Sequence, residues 1–158
     1  MSKSIVIDSA STTDLPATPI SADWVLEGRP ETRSHELARS HDLTSFAMVW
    51  DCTAGRFKWH YNKDETLVVV SGEAFITTGG GDERRIGPGD MVFFPAGCSA
   101  TWRVPEYIKK VAFLRHTMPR PLGFGVLAWN KLLRIVGLAG SSPSMAAAPL
   151  KPEDAAAR

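Results

Sequence analysis

The chain has 158 residues, 44% of them hydrophobic and 22% charged, which is length for one core and little more. Eighteen basic residues against 17 acidic leave a formal charge of +1, so the chain lacks the electrostatic footprint of a nucleic-acid binder and no nucleic-acid partner is expected. Its two cysteines, Cys52 and Cys98, are too few for a disulfide-dense secreted scaffold, and the opening MSKSIVIDSASTTD lacks the charged-then-apolar pattern of a signal peptide. A reducing cytoplasm is the expected setting.

Residues 1–30 mix a short β-like run, Ile5-Val6-Ile7, with Ser, Thr, Pro and Asp, and read as an arm laid on the edge of something larger. From Ser34 to Leu114 short runs rich in Val, Ile, Phe, Trp, Tyr and Thr alternate with Gly, Pro, Asp and Asn. That spacing predicts a sandwich or barrel with strands near 34–39, 44–51, 56–61, 65–70, 73–78, 90–94, 99–104 and 107–114. The Gly79-Gly80-Gly81-Asp82 stretch supplies the positive-φ positions of a hairpin. After Pro119 and Pro121, Leu122–Leu138 is apolar apart from Asn130, Lys131 and Arg134, which predicts a helix with a narrow polar stripe. Two charges in the middle of so short a run argue against a membrane span, so the helix is expected to dock on the barrel or a second subunit, with a membrane surface as the alternative. The expected organisation is an arm at 1–30, a barrel at 31–116, a helical segment at 117–139 and a frayed Ala- and Pro-rich tail at 140–158.

Two spaced patterns sharpen this reading. Gly55-Arg56-Phe57-Lys58-Trp59-His60-Tyr61-Asn62-Lys63-Asp64-Glu65 is followed by six residues and Gly72, and Gly89 is followed by five residues, Pro95-Ala96-Gly97, two more and Ala100. These resemble the first and second signatures of the cupin superfamily. The turn glycines 72, 87, 89 and 97 suit positive φ, and Pro95 can close a strand because it need not donate to the ladder. The run from Trp50 to Glu65, with Phe93-Phe94-Pro95 and Thr101-Trp102, is also similar to the small single-domain cupins grouped with ureidoglycine aminohydrolase-like and ethanolamine-utilisation cupins. The resemblance implies an all-β fold: a single cupin barrel (a double-stranded β-helix, or jelly roll) of two facing sheets, carrying the N-terminal arm and C-terminal helix and commonly forming a homodimer. Members differ in activity, so fold alone does not fix function.

A cupin metal site needs imidazoles and a carboxylate pointing into the barrel. With a three-residue spacer the first-signature histidine positions are Trp59 and Tyr61, and the second-signature histidine position is Ala100; of the usual ligands only Glu65 remains. The metal site thus reads as degenerate, and no cofactor is expected. A four-residue spacer would instead turn Lys58 and His60 inward. Alternation decides between the two, because Phe57, Trp59 and Tyr61 are aromatic while Arg56, Lys58, His60 and Asn62 are polar. The inner face is then expected to hold Phe57, Trp59, Tyr61, Glu65, Ala100 and Trp102, with His60 on the solvent face. A carboxylate facing an apolar interior must be paired, hydrogen-bonded or neutralised, and Tyr61 or Lys110 could partner Glu65. Desolvation would raise the pKa of Glu65 and suit it to proton transfer near neutral pH.

Cys98, in the Pro95–Ser99 turn, has no base or cation at fixed spacing and reads as an unreactive loop thiol, and Cys52 reads as buried filler. The principal reading is a binder of a small metabolite, held by Phe57, Trp59, Tyr61, Glu65, Ala100, Trp102 and Lys110 without a histidine metal site. The alternative is an aminohydrolase- or isomerase-like enzyme using Glu65 and Tyr61 as catalytic acid and base, or an atypical metal. A third is a structural or regulatory module in which the helix contacts a partner.

Overall fold

The apolar and β-branched runs of the sequence form eight strands in the computed structural model, which describes residues 5–137 apart from 12 and 80. They are β1 (Val25–Gly28), β2 (Thr32–Arg39), β3 (Ser45–His60), β4 (Asp64–Gly72), β5 (Ala74–Thr77), β6 (Glu83–Ile86), β7 (Met91–Phe94) and β8 (Ser99–Arg115). The chain divides into two units, Met1–Thr117 and Met118–Arg158.

In the first unit every strand pairing is antiparallel, and all eight strands join one sheet that is not closed. The order is β1-β3-β8-β4-β7, with β2 also on β3, β5 also on β8, and β6 on β5. This agrees with the expected all-β jelly roll, with one difference: hydrogen bonding runs through a single sheet instead of two separate facing ones. The reason is the length of β3 and β8, at 16 and 17 residues, which each serve two groups of neighbours. Each was expected as two strands. A register irregularity between Thr53 and Gly55 bends the pair without ending it.

That irregularity also sets which side chains reach the core. Before it, Met48, Trp50 and Cys52 point inward; beyond it the phase changes, and Phe57, Trp59 and Tyr61 do. On β8 the even positions from Ala100 to Ala112 are buried, Glu106 excepted, and on β4 Glu65, Leu67 and Val69 alternate with more exposed neighbours. Phe57 and Trp102, directly paired across β3 and β8, lie nearly parallel with centroids 6.1 Å apart and are essentially inaccessible to solvent. Burying side chains of this size stabilises by about 1.5–3 kcal/mol apiece, so this ring cluster is a main source of cohesion.

β1 and β6 were not anticipated. β6 reads Glu83-Arg84-Arg85-Ile86, too charged to signal a strand; besides its ladder with β5 it carries ion pairs, Glu83 to Arg103 of β8 at 2.6 Å and Arg85 to Glu73 just before β5 at 2.7 Å. The arm does touch the sheet: Thr18 donates to the Thr32 carbonyl at 2.8 Å, Ala17 bridges Arg33, and Leu15 is buried. Its Ile5-Val6-Ile7 run, however, forms no strand and is exposed, because no neighbouring strand offers it a ladder. A 3-10 turn, Ala22–Trp24, leads into β1.

Gly72, Gly89 and Gly97 have positive φ, whereas Gly87 does not. Gly87 instead donates its N–H to Asp90 Oδ2 at 2.8 Å, closing the turn through a side chain. Gly72 is the strictest of these positions. At φ 73° an added Cβ would lie 2.0 Å from the Tyr107 carbonyl oxygen.

The second unit contains α1 (Arg120–Ile135), which starts two residues before the predicted helix and stops three before its predicted end. Pro121 sits in the first turn, where its missing N–H costs nothing, and Arg134 lies in the last turn, favourable to the helix dipole. Gly137, at φ 73°, follows its end. The tail expected at 140–158 lies outside the described residues.

Candidate functional site

Inward side chains of β3, β4 and β8 enclose a cavity of about 300 Å³ in the first unit. Its walls are the rings of Trp50, Phe57, Trp59, Tyr61 and Trp102, with Met48, Ala112 and Leu114 between them; Thr18 comes from the arm, Trp24 from the turn before β1, and Ser34 from β2. Polar groups reach it at three places: Glu65 and Lys110 within, His60, Asn62 and Lys63 where β3 ends, and Thr18 and Ser34 from the arm and β2.

Glu65 and Lys110 are both about 5% exposed. The Lys110 ammonium donates to Glu65 Oε1 at 2.6 Å and lies over the rings of Trp50 and Trp102, 4.8 and 4.9 Å from their centroids. An isolated buried carboxylate or ammonium would be prohibitively costly, and here each compensates the other, with the ring faces adding cation–π attraction. Of the two partners open to Glu65 from the sequence, Lys110 is the one it contacts.

Tyr61 is engaged elsewhere. Its phenol oxygen accepts from Trp102 Nε1 at 3.0 Å, and its ring stacks on Phe94 with centroids 4.2 Å apart. Burial, with the nearby Glu65 carboxylate a smaller cause, pushes the phenol well above its ordinary range, so Tyr61 keeps its proton throughout the physiological span. Its hydroxyl thus lies in the cavity wall as a hydrogen-bonded, protonated group.

The remaining expected site residues fall as follows. Phe57, Trp59 and Trp102 line the cavity. Ala100 is buried opposite Trp59 but does not line it, since its methyl group ends in the packed core. His60 is exposed, as expected for the solvent face, yet it also borders the cavity: its Nδ1 lies 2.7 Å from Ser99 Oγ and its ring 5.3 Å from that of Trp24. Trp24, packed edge-on against Trp59 at 5.3 Å, was not anticipated at all. Trp50 was legible in principle, because it shares the phase of Met48 and Cys52.

Both thiols fit the inert roles expected of them. Burial pushes Cys52 up to about 12 and raises Cys98 as well, so neither is prepared as a thiolate. A second buried acid, Asp51, lies outside the cavity and is fully engaged: Arg33 reaches both its oxygens, at 3.0 and 2.6 Å, and the Tyr107 hydroxyl donates to it at 2.9 Å.

The donor set does not fit a transition-metal ion. Three of the four positions matched to ligands in the cupin signatures carry Trp59, Tyr61 and Ala100, and the fourth, Glu65, already faces the Lys110 ammonium. Among the described residues no three His, Cys, Asp or Glu side chains gather in a metal-binding group.

Residues 40–112 match the family model of the EutQ-like cupin domain. No curated protein matches the chain. Among solved structures, a protein of unknown function from Pseudomonas syringae pv. tomato str. DC3000, of the DUF861 family, gives a TM-score of 0.60 at 21% identity, over 65% of this chain and 45% of that one. A putative ethanolamine utilization protein Q from Salmonella typhimurium LT2 gives 0.50 at 20% identity, over 65% of this chain and 94% of that one. The EutQ protein of Clostridium difficile gives 0.48 at 19% identity, over 54% and 63%. The chain therefore spans less than two thirds of two of these three relatives, and at such identities the likeness is one of fold. Signature spacing, strand topology and the family match agree on a cupin fold, and residues 40–112 are similar to the EutQ-like cupin domain.

Proposed function

We propose that this cupin binds a small metabolite in its aromatic cavity and does so without the histidine metal site of its superfamily. The observation that carries the reading is the pairing of an open, ring-walled cavity of about 300 Å³ with a buried Glu65–Lys110 ion pair at its wall. A cavity of this kind, mostly apolar with a few convergent polar groups, is the usual form of a small-ligand site. A barrel filled only by its own side chains would leave no such space. In this reading Phe57, Trp59, Tyr61 and Trp102 supply walls, and Glu65 and Lys110 orient the ligand.

Titrating a metabolite library against the purified chain tests this, with tryptophan fluorescence and melting temperature as readouts. A hit should quench the cavity indoles and raise the melting temperature. No hit across the library would count against the reading, and stoichiometric Mn, Fe, Ni or Zn in protein purified without added metal would overturn its metal-free part.

Catalysis by Glu65 and Tyr61 as acid and base has less support, since burial keeps the Tyr61 phenol protonated and Lys110 holds one oxygen of Glu65. Self-association into a homodimer has a candidate surface. Phe113 and Phe93 flank Thr66 across β8, β4 and β7, and both rings are about half exposed. Two free thiols, Cys52 and Cys98, support a cytoplasmic setting. Among the described residues no helix is long and apolar enough to cross a membrane.

A further inference from the structure

The ion pair at the cavity wall is unequally used, and that asymmetry speaks to ligand chemistry. Lys110 donates to Glu65 Oε1. Among the described residues nothing donates to Oε2, yet no fully enclosed side-chain nitrogen or oxygen lacks a partner. Oε2 is therefore reached from the cavity that Glu65 lines. Beside it, Lys110 has three N–H bonds and one oxygen acceptor; its other neighbours are the ring faces of Trp50 and Trp102. The wall thus offers an acceptor and a charged donor side by side.

Charge narrows what can meet that pair. A cationic ligand would face Lys110, with Lys63 also lining the cavity, while a carboxylate ligand would face the open oxygen of Glu65. A neutral ligand with a donor next to an acceptor satisfies both. The surrounding indoles and phenyl ring favour a flat body that can stack. The volume, about 300 Å³, is roughly ten times a water molecule's share of the liquid and suits a single or fused ring.

We infer that the ligand presents a lactam edge, a ring N–H beside a ring C=O, with the N–H donating to Glu65 Oε2 and the carbonyl accepting from Lys110. This rests on the small-molecule reading above and names the chemical class for that same site. A carbonyl oxygen accepts more strongly from an ammonium than a ring face does, so ligand entry replaces a weak contact of Lys110 with a strong one.

The test uses the unmodified chain and three probes of nearly equal shape, with calorimetric titration as readout: 2-quinolone, N-methyl-2-quinolone and quinoline. The parent lactam should bind, and the other two should bind at least tenfold more weakly, since each lacks the donor, and quinoline the carbonyl too. Comparable binding of the N-methyl compound or of quinoline would overturn the lactam edge while leaving the cavity as a small-ligand site. Binding by none of the three overturns it as well, and the metabolite library then decides separately whether the cavity holds any ligand. In E65Q, parent binding should fall about tenfold with little change for quinoline. An equal fall for both would place the preference elsewhere. If E65Q fails to fold, the comparison on the unmodified chain still decides.

Discussion

Lys110 Nζ and Glu65 Oε1 lie 2.6 Å apart at almost complete burial, so each charge depends chiefly on the other. Removing only one should be costly. K110M leaves a lone buried carboxylate and should destabilise the chain by roughly 3–5 kcal/mol, whereas the double variant E65L/K110M should recover most of that loss. Guanidinium denaturation of the wild type, both single variants and the double variant gives the coupling directly. Strictly additive losses would mean the two groups do not act as a pair.

At Gly72 the backbone and its surroundings agree in refusing a side chain. G72A places a methyl group 2.0 Å from the Tyr107 carbonyl oxygen at φ 73°, and should cost about 3 kcal/mol or more, or prevent soluble expression. G79A, where an added Cβ meets nothing within 4 Å, should stay within about 1 kcal/mol of wild type. Melting temperatures of the two variants provide the comparison.

Alkaline stability follows from Cys52. Its thiol is raised from 9.0 to about 12 by burial, so below pH 9 both folded and unfolded chains hold the proton and its contribution is complete. As pH rises from 9 to about 12 the unfolded thiol ionises first, and that contribution is lost. Tyr61, raised in the same direction, adds to the effect at higher pH. The melting temperature should therefore fall above pH 9, and C52A, though less stable overall, should fall less steeply. In thiol labelling of the native chain Cys98 should react first and Cys52 only on unfolding, because Cys52 is inaccessible to solvent.

If the Phe93–Phe113 stripe joins two copies, a charge in its middle should separate them. F113E should convert a dimer to a monomer in light scattering while leaving the melting curve cooperative, since the side chain is half exposed. A monomeric wild type would remove this face from consideration.

Much of the cavity was readable from local pattern. Glycine and proline intervals anchor Glu65 and Ala100, and alternation from them turns Phe57, Trp59, Tyr61 and Trp102 inward. Lys110 was one of two partners open to Glu65. The choice between Lys110 and Tyr61 was not readable, because it depends on β4 and β8 lying side by side and on Trp102 taking the phenol of Tyr61. Trp24 was hidden for a similar reason: its contacts with Trp59 and His60 join segments about 35 residues apart. The union of predicted strands into β3 and β8 was illegible because residues 52–55 and 105–106 interrupt the β-prone runs, and only cross-strand pairing shows the ladder resuming beyond them.

The change of phase in β3 has a consequence for what kind of interior this barrel can have. Were the strand to keep strict time through residues 53–55, Lys58 and His60 would turn inward and the three rings beyond would face water. Whether the chamber is greasy or basic is thus settled at a short kink that borders none of it.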